Sequence, residues 1–161
     1  MKQRQMDNPL KLVIFDCDGT LVDSQHMILA AMGAAYRAHG IAIPPRETVL
    51  SIVGLSLIEA FTHLGQGAPD FPVASLAEGY KDAFHRLRDG GAPVEPLYPG
   101  AAEAIEALAR RHDVALGIAT GKSQRGVRLV LGHHGLIERF VTVQTAEIGI
   151  MRRLLSQLPP E

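Results

Sequence analysis

The chain has 161 residues, 47% of them hydrophobic and 20% charged, which suits one domain with a sizeable core, or one domain carrying a small insert, and excludes a disordered chain. Sixteen Lys and Arg against 17 Asp and Glu give a formal net charge of −1, which excludes a general nucleic-acid or membrane-surface binder. The single cysteine excludes an internal disulfide and a zinc site built from several thiolates.

The N-terminal stretch MKQRQMDNPLKLVIFD carries positive charge but only Leu12–Phe15 as an apolar run, too short for a signal peptide. No apolar run approaches the ~18–20 residues of a membrane span, so a cytoplasmic protein is expected. Leu12–Phe15 ends in Asp16 and predicts a strand buried on both faces, as in parallel sheets. Ser24–His39 reads as a helix stopped by Gly40. Pro44-Pro45 then opens a short helix that Gly54 ends. Ser56 with Glu59, and Ser75 with Glu78, both fit the Ser-x-x-Glu capping box ahead of a helix. The stretch IVGLSL (Ile52–Leu57) admits two readings: a loop that reaches over a site and reads its ligand, or a helix stop packed among apolar neighbours.

Gly90–Gly100, GGAPVEPLYPG, is rich in Gly and Pro and marks a boundary. Beyond it, Ala101–Arg111 reads as a helix, Val114–Ala119 as a buried strand ending at Thr120-Gly121, Ser123–Leu131 as a helix capped by Ser123, and Phe140–Val143 as a third strand. Helix, strand, helix, strand is the order of parallel α/β construction. The expected fold class is therefore α/β, with a parallel core of about three strands. Residues 1–22 and 92–161 form that core, and 23–91 form an inserted helical cap.

The stretch DCDGTLVDS (Asp16–Ser24) carries the chemistry. Side chains alternate along a strand, so Asp16 and Asp18 point one way and Cys17 the other. Open α/β sheets bind ligands where these carboxylates converge, at the carboxyl ends of the strands. Two close carboxylates want a cation or one shared proton, and a hard oxygen site of this kind suits Mg²⁺. A calcium loop fails, because Leu21 stands where it needs Gly and Met27 where it needs Glu. Cys17 faces away from the carboxylates and has no local base, so it reads as a small buried apolar residue.

IATGKS (Ile118–Ser123) ends a strand and opens a helix; a hydroxyl, backbone amides and a helix N-terminus suit phosphate. A nucleotide P-loop is rejected, since its first Gly would fall on Leu116. Thr120 and Ser123 also read as simple helix caps, and Lys122 either assists phosphate binding or is a solvated surface lysine. His133-His134 reads as an interaction with a helix C-terminus, and Arg110-Arg111 and Arg152-Arg153 as solvated pairs.

Asp16-Cys17-Asp18-Gly19-Thr20-Leu21-Val22-Asp23-Ser24 resembles the first motif of the haloacid dehalogenase superfamily, and the helical insert after it is similar to the cap of its phosphoglycolate phosphatase-like members. The resemblance covers about residues 10–146 and implies a Rossmann-like core. It implies a Mg²⁺-dependent phosphatase acting on a small phosphorylated metabolite, with Asp16 as nucleophile forming an aspartyl-phosphate and Asp18 as general acid and base. Mg²⁺ would bridge Asp16, the Asp18 backbone carbonyl and a phosphate oxygen. Thr120 matches the family's second motif, so its hydroxyl and the Gly121 amide would hold the phosphoryl group beside Lys122.

The family also has a Lys, usually followed by Pro, after the third strand, and an acidic motif at the end of a fourth. After Gln144-Thr145-Ala146 the chain reads EIGIMRRLLSQLPPE, with no Lys after Lys122 and Arg152 near the expected place. The tail reads as a short helix with Ile148, Met151, Leu155 and Leu158 on one side, replacing the family's ordinary ending. Without further strands Leu12–Phe15 becomes an edge that the tail covers, or that pairs with a second chain to give a homodimer, or that leaves the protein weakly stable. The alternative function is a truncated, catalytically impaired remnant that binds phosphate or a protein partner. A phosphate-transferring mutase of the same family is a third reading.

Overall fold

The structure is a computed structural model that describes residues 9–145. Three strands, β1 (Lys11–Phe15), β2 (Val114–Thr120) and β3 (Thr142–Thr145), form one parallel sheet in the order β1-β2-β3. Phe15 pairs with Ile118 and Thr120 with Thr145, so all three strands end at the same side of the sheet. β3 begins two residues later than the predicted Phe140–Val143, because Phe140 is taken into the core instead: its ring meets Phe15 edge-on at 6.4 Å, after a 3-10 turn at Ile137–Arg139.

The helices between are α1 (Gln25–Ala38), α2 (Arg46–Ser51), α3 (Leu57–Leu64), α4 (Val73–Asp89), α5 (Ala101–Ala109) and α6 (Gln124–His133). Ile105 of α5 and Val127 and Val130 of α6 join Leu116 and Ile118 of β2 in one apolar cluster, which also holds Cys17, Leu21 and Val22. A second cluster gathers Met32 and Tyr36 of α1, Phe61 of α3 and Leu76 of α4. The two long helices approach closely where a Cβ on Gly79 would lie 3.8 Å from Ala35 Cβ. The passages between the two clusters run side by side. Asp23 N–H donates to the Pro96 carbonyl at 2.8 Å and Tyr98 N–H to the Leu21 carbonyl at 2.9 Å.

β1 departs from the expectation of a strand buried on both faces. Val13 and Phe15 pack into the first cluster, but Leu12 and Ile14 are 56% and 58% exposed. They share the other face with Gly117, where an added Cβ would lie 3.7 Å from Leu12 and 3.8 Å from Ile14. β1 is an edge strand among the described residues, and the helices that cluster with the sheet cover its opposite face.

The two capping boxes part company. At α3, Ser56 Oγ accepts from Glu59 N–H at 3.4 Å and the Glu59 carboxylate accepts from Ser56 N–H at 3.2 Å, so both halves form. The Ser75–Glu78 box is corrected: α4 starts earlier, at Val73, behind Pro72, whose missing N–H costs nothing at a helix start. Ser75 therefore lies inside the first turn, where its hydroxyl donates to the Pro72 carbonyl at 3.3 Å and meets His39 Nε2 at 2.9 Å. Replacing a capping serine by alanine costs about 1 kcal/mol. In urea denaturation, Ser56→Ala is expected to lower the midpoint by that equivalent with an unchanged slope, while Ser75→Ala loses no cap.

Candidate functional site

The turn after β1 presents the first carboxylates. Gly19 takes φ +79°, a left-handed conformation that favours glycine, and its N–H donates to the Val22 carbonyl at 2.9 Å. Leu21 and Val22 both donate to the Cys17 carbonyl at 3.0 Å, closing the loop tightly. Asp16 Oδ1 accepts from Cys17 N–H at 2.6 Å. Asp16 Oδ2 accepts no hydrogen bond from the described residues; a Cβ on Gly54 would lie 3.8 Å from it. The Cys17 side chain is fully buried, and burial, with Asp18 second, pushes its thiol up from 9.0 to about 12.

The end of β2 supplies the second part. Thr120 is buried and its Oγ1 accepts from Lys122 N–H at 3.3 Å. Ser123 caps α6, its Oγ accepting from Gly126 N–H at 3.1 Å, as expected. Asp18, Thr120, Gly121 and Lys122 line one cavity of about 410 Å³ between the sheet end and helices α1, α3 and α4. Asp16 is not among its lining residues; it lies behind Gly54, which is. The 52–57 segment thus reaches the strand ends. A Cβ on Gly121 would fall 2.6 Å from the Leu55 carbonyl oxygen and 2.7 Å from that of Gly54, so only glycine permits this approach.

Lys122 is not a solvated surface lysine. Its side chain is 7% exposed, and Nζ donates to Asp18 Oδ1 at 2.8 Å and to Glu95 Oε1 at 3.3 Å. Arg88, from α4, donates to the same Glu95 oxygen at 2.8 Å. The Phe84 ring lies under both cations, 4.8 Å from the Arg88 guanidinium and 5.5 Å from the Lys122 ammonium. Burial would lower the Lys122 ammonium, but Asp18, by charge and hydrogen bond, and Glu95 hold it above its usual range. Burial likewise pushes Glu95 up, yet Lys122, its own backbone amide and Arg88 together outweigh it, and the carboxyl sits below its ordinary value of 4.5.

Sequence reasoning missed Glu95 and Arg88. Glu95 stands in a Gly- and Pro-rich stretch and is 1% exposed; nothing in its spacing separates it from a solvated linker residue. The expectation for His133-His134 is also refined: His134 does end α6, and its Nε2 lies 2.9 Å from the Glu95 carbonyl oxygen.

Among the described residues no group of three His, Cys, Asp or Glu side chains is placed to hold a metal. Asp16 and Asp18 nevertheless fit the sparse kind of Mg²⁺ site, in which one or two carboxylates are completed by substrate phosphate and water. Asp16 Oδ1, which already accepts the Cys17 N–H, keeps a second lone pair that such an ion would take. No helix of the described residues is long and apolar enough to cross a membrane.

Comparison with known proteins gives the family and the fold. The haloacid dehalogenase-like hydrolase family matches residues 13–148. The chain is 31% identical over 140 residues to the probable phosphatase IndB of Dickeya dadantii, covering 85% of this chain and 59% of that protein. It is 30% identical to the phosphoglycolate phosphatase of Vibrio vulnificus, covering 83% and 60%. It is 29% identical to the tyrosine-protein kinase PtkA of Mycobacterium tuberculosis, covering 93% and 52%. The solved structure of PtkA superimposes with a TM-score of 0.72 at 25% identity, over 94% of this chain and 71% of that one. The chain therefore spans between about half and three fifths of the length of the curated relatives it matches.

The ionic group and the thiol each generate a test. Removing one member of a buried pair costs about 3–5 kcal/mol, so Glu95→Gln is expected to lose stability at the low end of that range at pH 7. A depressed native carboxyl stabilises above its unfolded pKa and ceases to do so as pH falls through the native one. The gap between wild type and variant, read by denaturation at several pH values, should hold above 4.5 and close below it. A gap constant down to strong acid contradicts this assignment. Cys17 should resist alkylation by iodoacetamide at pH 8 in the folded protein and react once urea unfolds it; rapid native labelling would show an accessible thiol.

Proposed function

Because the chain belongs to the haloacid dehalogenase-like hydrolase family, with phosphoglycolate phosphatase-like relatives, we propose that it is a Mg²⁺-dependent phosphatase that hydrolyses a phosphomonoester through an aspartyl-phosphate. The observation that carries the reading is the common cavity: the Asp18 carboxylate, the Thr120 hydroxyl, the Gly121 backbone and the Lys122 ammonium line one space, and a Cβ on Gly54 in the same lining would lie 3.8 Å from Asp16 Oδ2.

The residues divide the work by chemistry. Thr120 Oγ1, the Gly121 amide and the N-terminus of α6 supply donors for phosphoryl oxygens. Asp16 Oδ2, free of the hydrogen bond that occupies Oδ1, attacks phosphorus; the bond to the ester oxygen breaks, and that oxygen takes the proton that Asp18 acquires from the monoanionic phosphomonoester as the ester displaces it from Lys122. Water then attacks the phosphorus of the aspartyl-phosphate, Asp18 takes the water's proton, and phosphate leaves with Asp16 restored. Mg²⁺, held by Asp16 and the backbone carbonyl of Asp18, would supply charge neutralisation at the phosphoryl oxygens. The buried Lys122 ammonium adds a fixed positive charge, and an arriving phosphate competes with Asp18 for it.

The impaired-remnant reading has its own support: the third carboxylate of a closed metal site is not found among the described residues. A phosphatase assay with Mg²⁺, with and without EDTA, compares wild type with Asp16→Asn. Wild-type turnover that EDTA abolishes and Asp16→Asn lowers on the order of 10³-fold or more supports the enzyme. Equal inactivity of both, with inorganic phosphate still bound in calorimetry, supports the remnant.

A further inference from the structure

The cavity extends well beyond what a phosphate and a short acidic alcohol occupy. Its 410 Å³ falls within the ~300–1,000 Å³ of sites that enclose substantial organic ligands. Away from Thr120 its walls are Ile28, Ile52, Leu55, Ile58, Tyr80 and Phe84. Leu55 and Ile58 are 45% and 54% exposed, an unusual display for large apolar side chains beside a charged site. The rings of Tyr80 and Phe84 stand 5.8 Å apart at 41°, forming a continuous aromatic wall on one face of α4.

The polar groups in the same space are largely spoken for. Lys81 pairs with Glu78 at 2.8 Å, Arg88 with Glu95, and Lys122 with Asp18 and Glu95. Ser56 is committed to its capping box. Among the described residues Asp18 is the sole carboxylate that lines the cavity, so carboxylate acceptors for the several hydroxyls of a sugar are few. Burial, followed by the charges of Asp18 and Glu95, keeps the Tyr80 phenol neutral. What remains is an anion cradle at one end and apolar surface at the other, with the exposed His85 and Arg125 also in the lining.

We propose that the substrate is a phosphomonoester of a bulky apolar or aromatic alcohol, its phosphate at Thr120–Lys122 and its leaving group against Leu55, Ile58, Tyr80 and Phe84. This deepens the phosphatase reading and rests on it. The preference comes from transferring apolar leaving-group surface out of water, which a two-carbon acid or a polyol does not offer.

The test uses non-hydrolysable phosphonates, so that recognition is separated from turnover. Calorimetry with Mg²⁺ present measures benzylphosphonate, methylphosphonate and phosphonoacetate against the wild type and the Leu55→Ser/Ile58→Ser double variant. Both replaced side chains are exposed, and circular dichroism checks that the variant is folded. The expected result is benzylphosphonate binding at least about tenfold tighter than the other two, with that advantage lost in the variant and methylphosphonate unchanged. Equal binding of all three by the wild type overturns the substrate class and leaves the phosphate site standing. A variant that keeps the full benzyl advantage, or that loses methylphosphonate as well, also overturns it. Failure of the wild type to bind any of the three, or inorganic phosphate, overturns the phosphatase reading and this inference together.

Discussion

One ammonium group organises this molecule's charged interior. Lys122 Nζ reaches Asp18 in the turn after β1 and Glu95 in the passage back from the helical region, while Arg88 brings α4 onto the same glutamate. Two cations and two carboxylates alternate, so the group is neutral as a whole. That alternation permits it to be buried, because an unpaired charge in the same place would be far costlier than the pairs are favourable. It also makes the arrangement indivisible. Three segments distant in sequence are held by one chain of contacts, and none can move away without exposing another's charge to a dry environment. Phe84 supplies an apolar floor beneath both cations.

The same group sits at the boundary of the cavity, which links stability to chemistry. Lys122 follows Thr120 and Gly121 directly, so whatever fixes its side chain also fixes the start of α6, where phosphate donors gather. A lysine held only by solvent would have to lose side-chain freedom as the ligand binds; one already clasped between Asp18 and Glu95 has lost it during folding. In the phosphatase reading, burial is preorganisation, with its cost met before a ligand arrives.

How far the sequence revealed this depends on the range of each signal. Asp16, Asp18, Thr120 and Ser123 were legible because each sits at the end of a short apolar run, and strand alternation and cap chemistry are local rules. α3 obeyed its local rule as well. α4 did not, because a proline three residues upstream opened the helix before Ser75 could, and two adequate start signals in one turn leave only one helix start. The burial of β1 was misjudged for a different reason: a run of four apolar residues says how much the strand would like to bury, and tertiary layout decides which faces get a partner. Glu95 lay outside any local rule. Its role exists only once α4 and α6 are placed on either side of it, so no reading of VEPLYPG alone could separate it from an exposed linker charge.

The two glycines at the mouth of the site follow from the same logic of approach distance. Gly54 carries φ +100° and stands against Asp16, while Gly121 lies beneath the carbonyls of Gly54 and Leu55 with no room for a side chain. Backbone therefore meets backbone where the helical segment touches the sheet end. A contact of that kind cannot be tuned by side-chain rotamers; it is made or it is broken. While it is made, Gly54 stays so near Asp16 Oδ2 that a Cβ there would lie 3.8 Å from it. The apolar wall begins one residue later, at Leu55, so the loop that approaches Asp16 also lines the cavity. The approach to the strand end is thus made by the backbone of this segment, and the apolar lining by its Leu55 side chain.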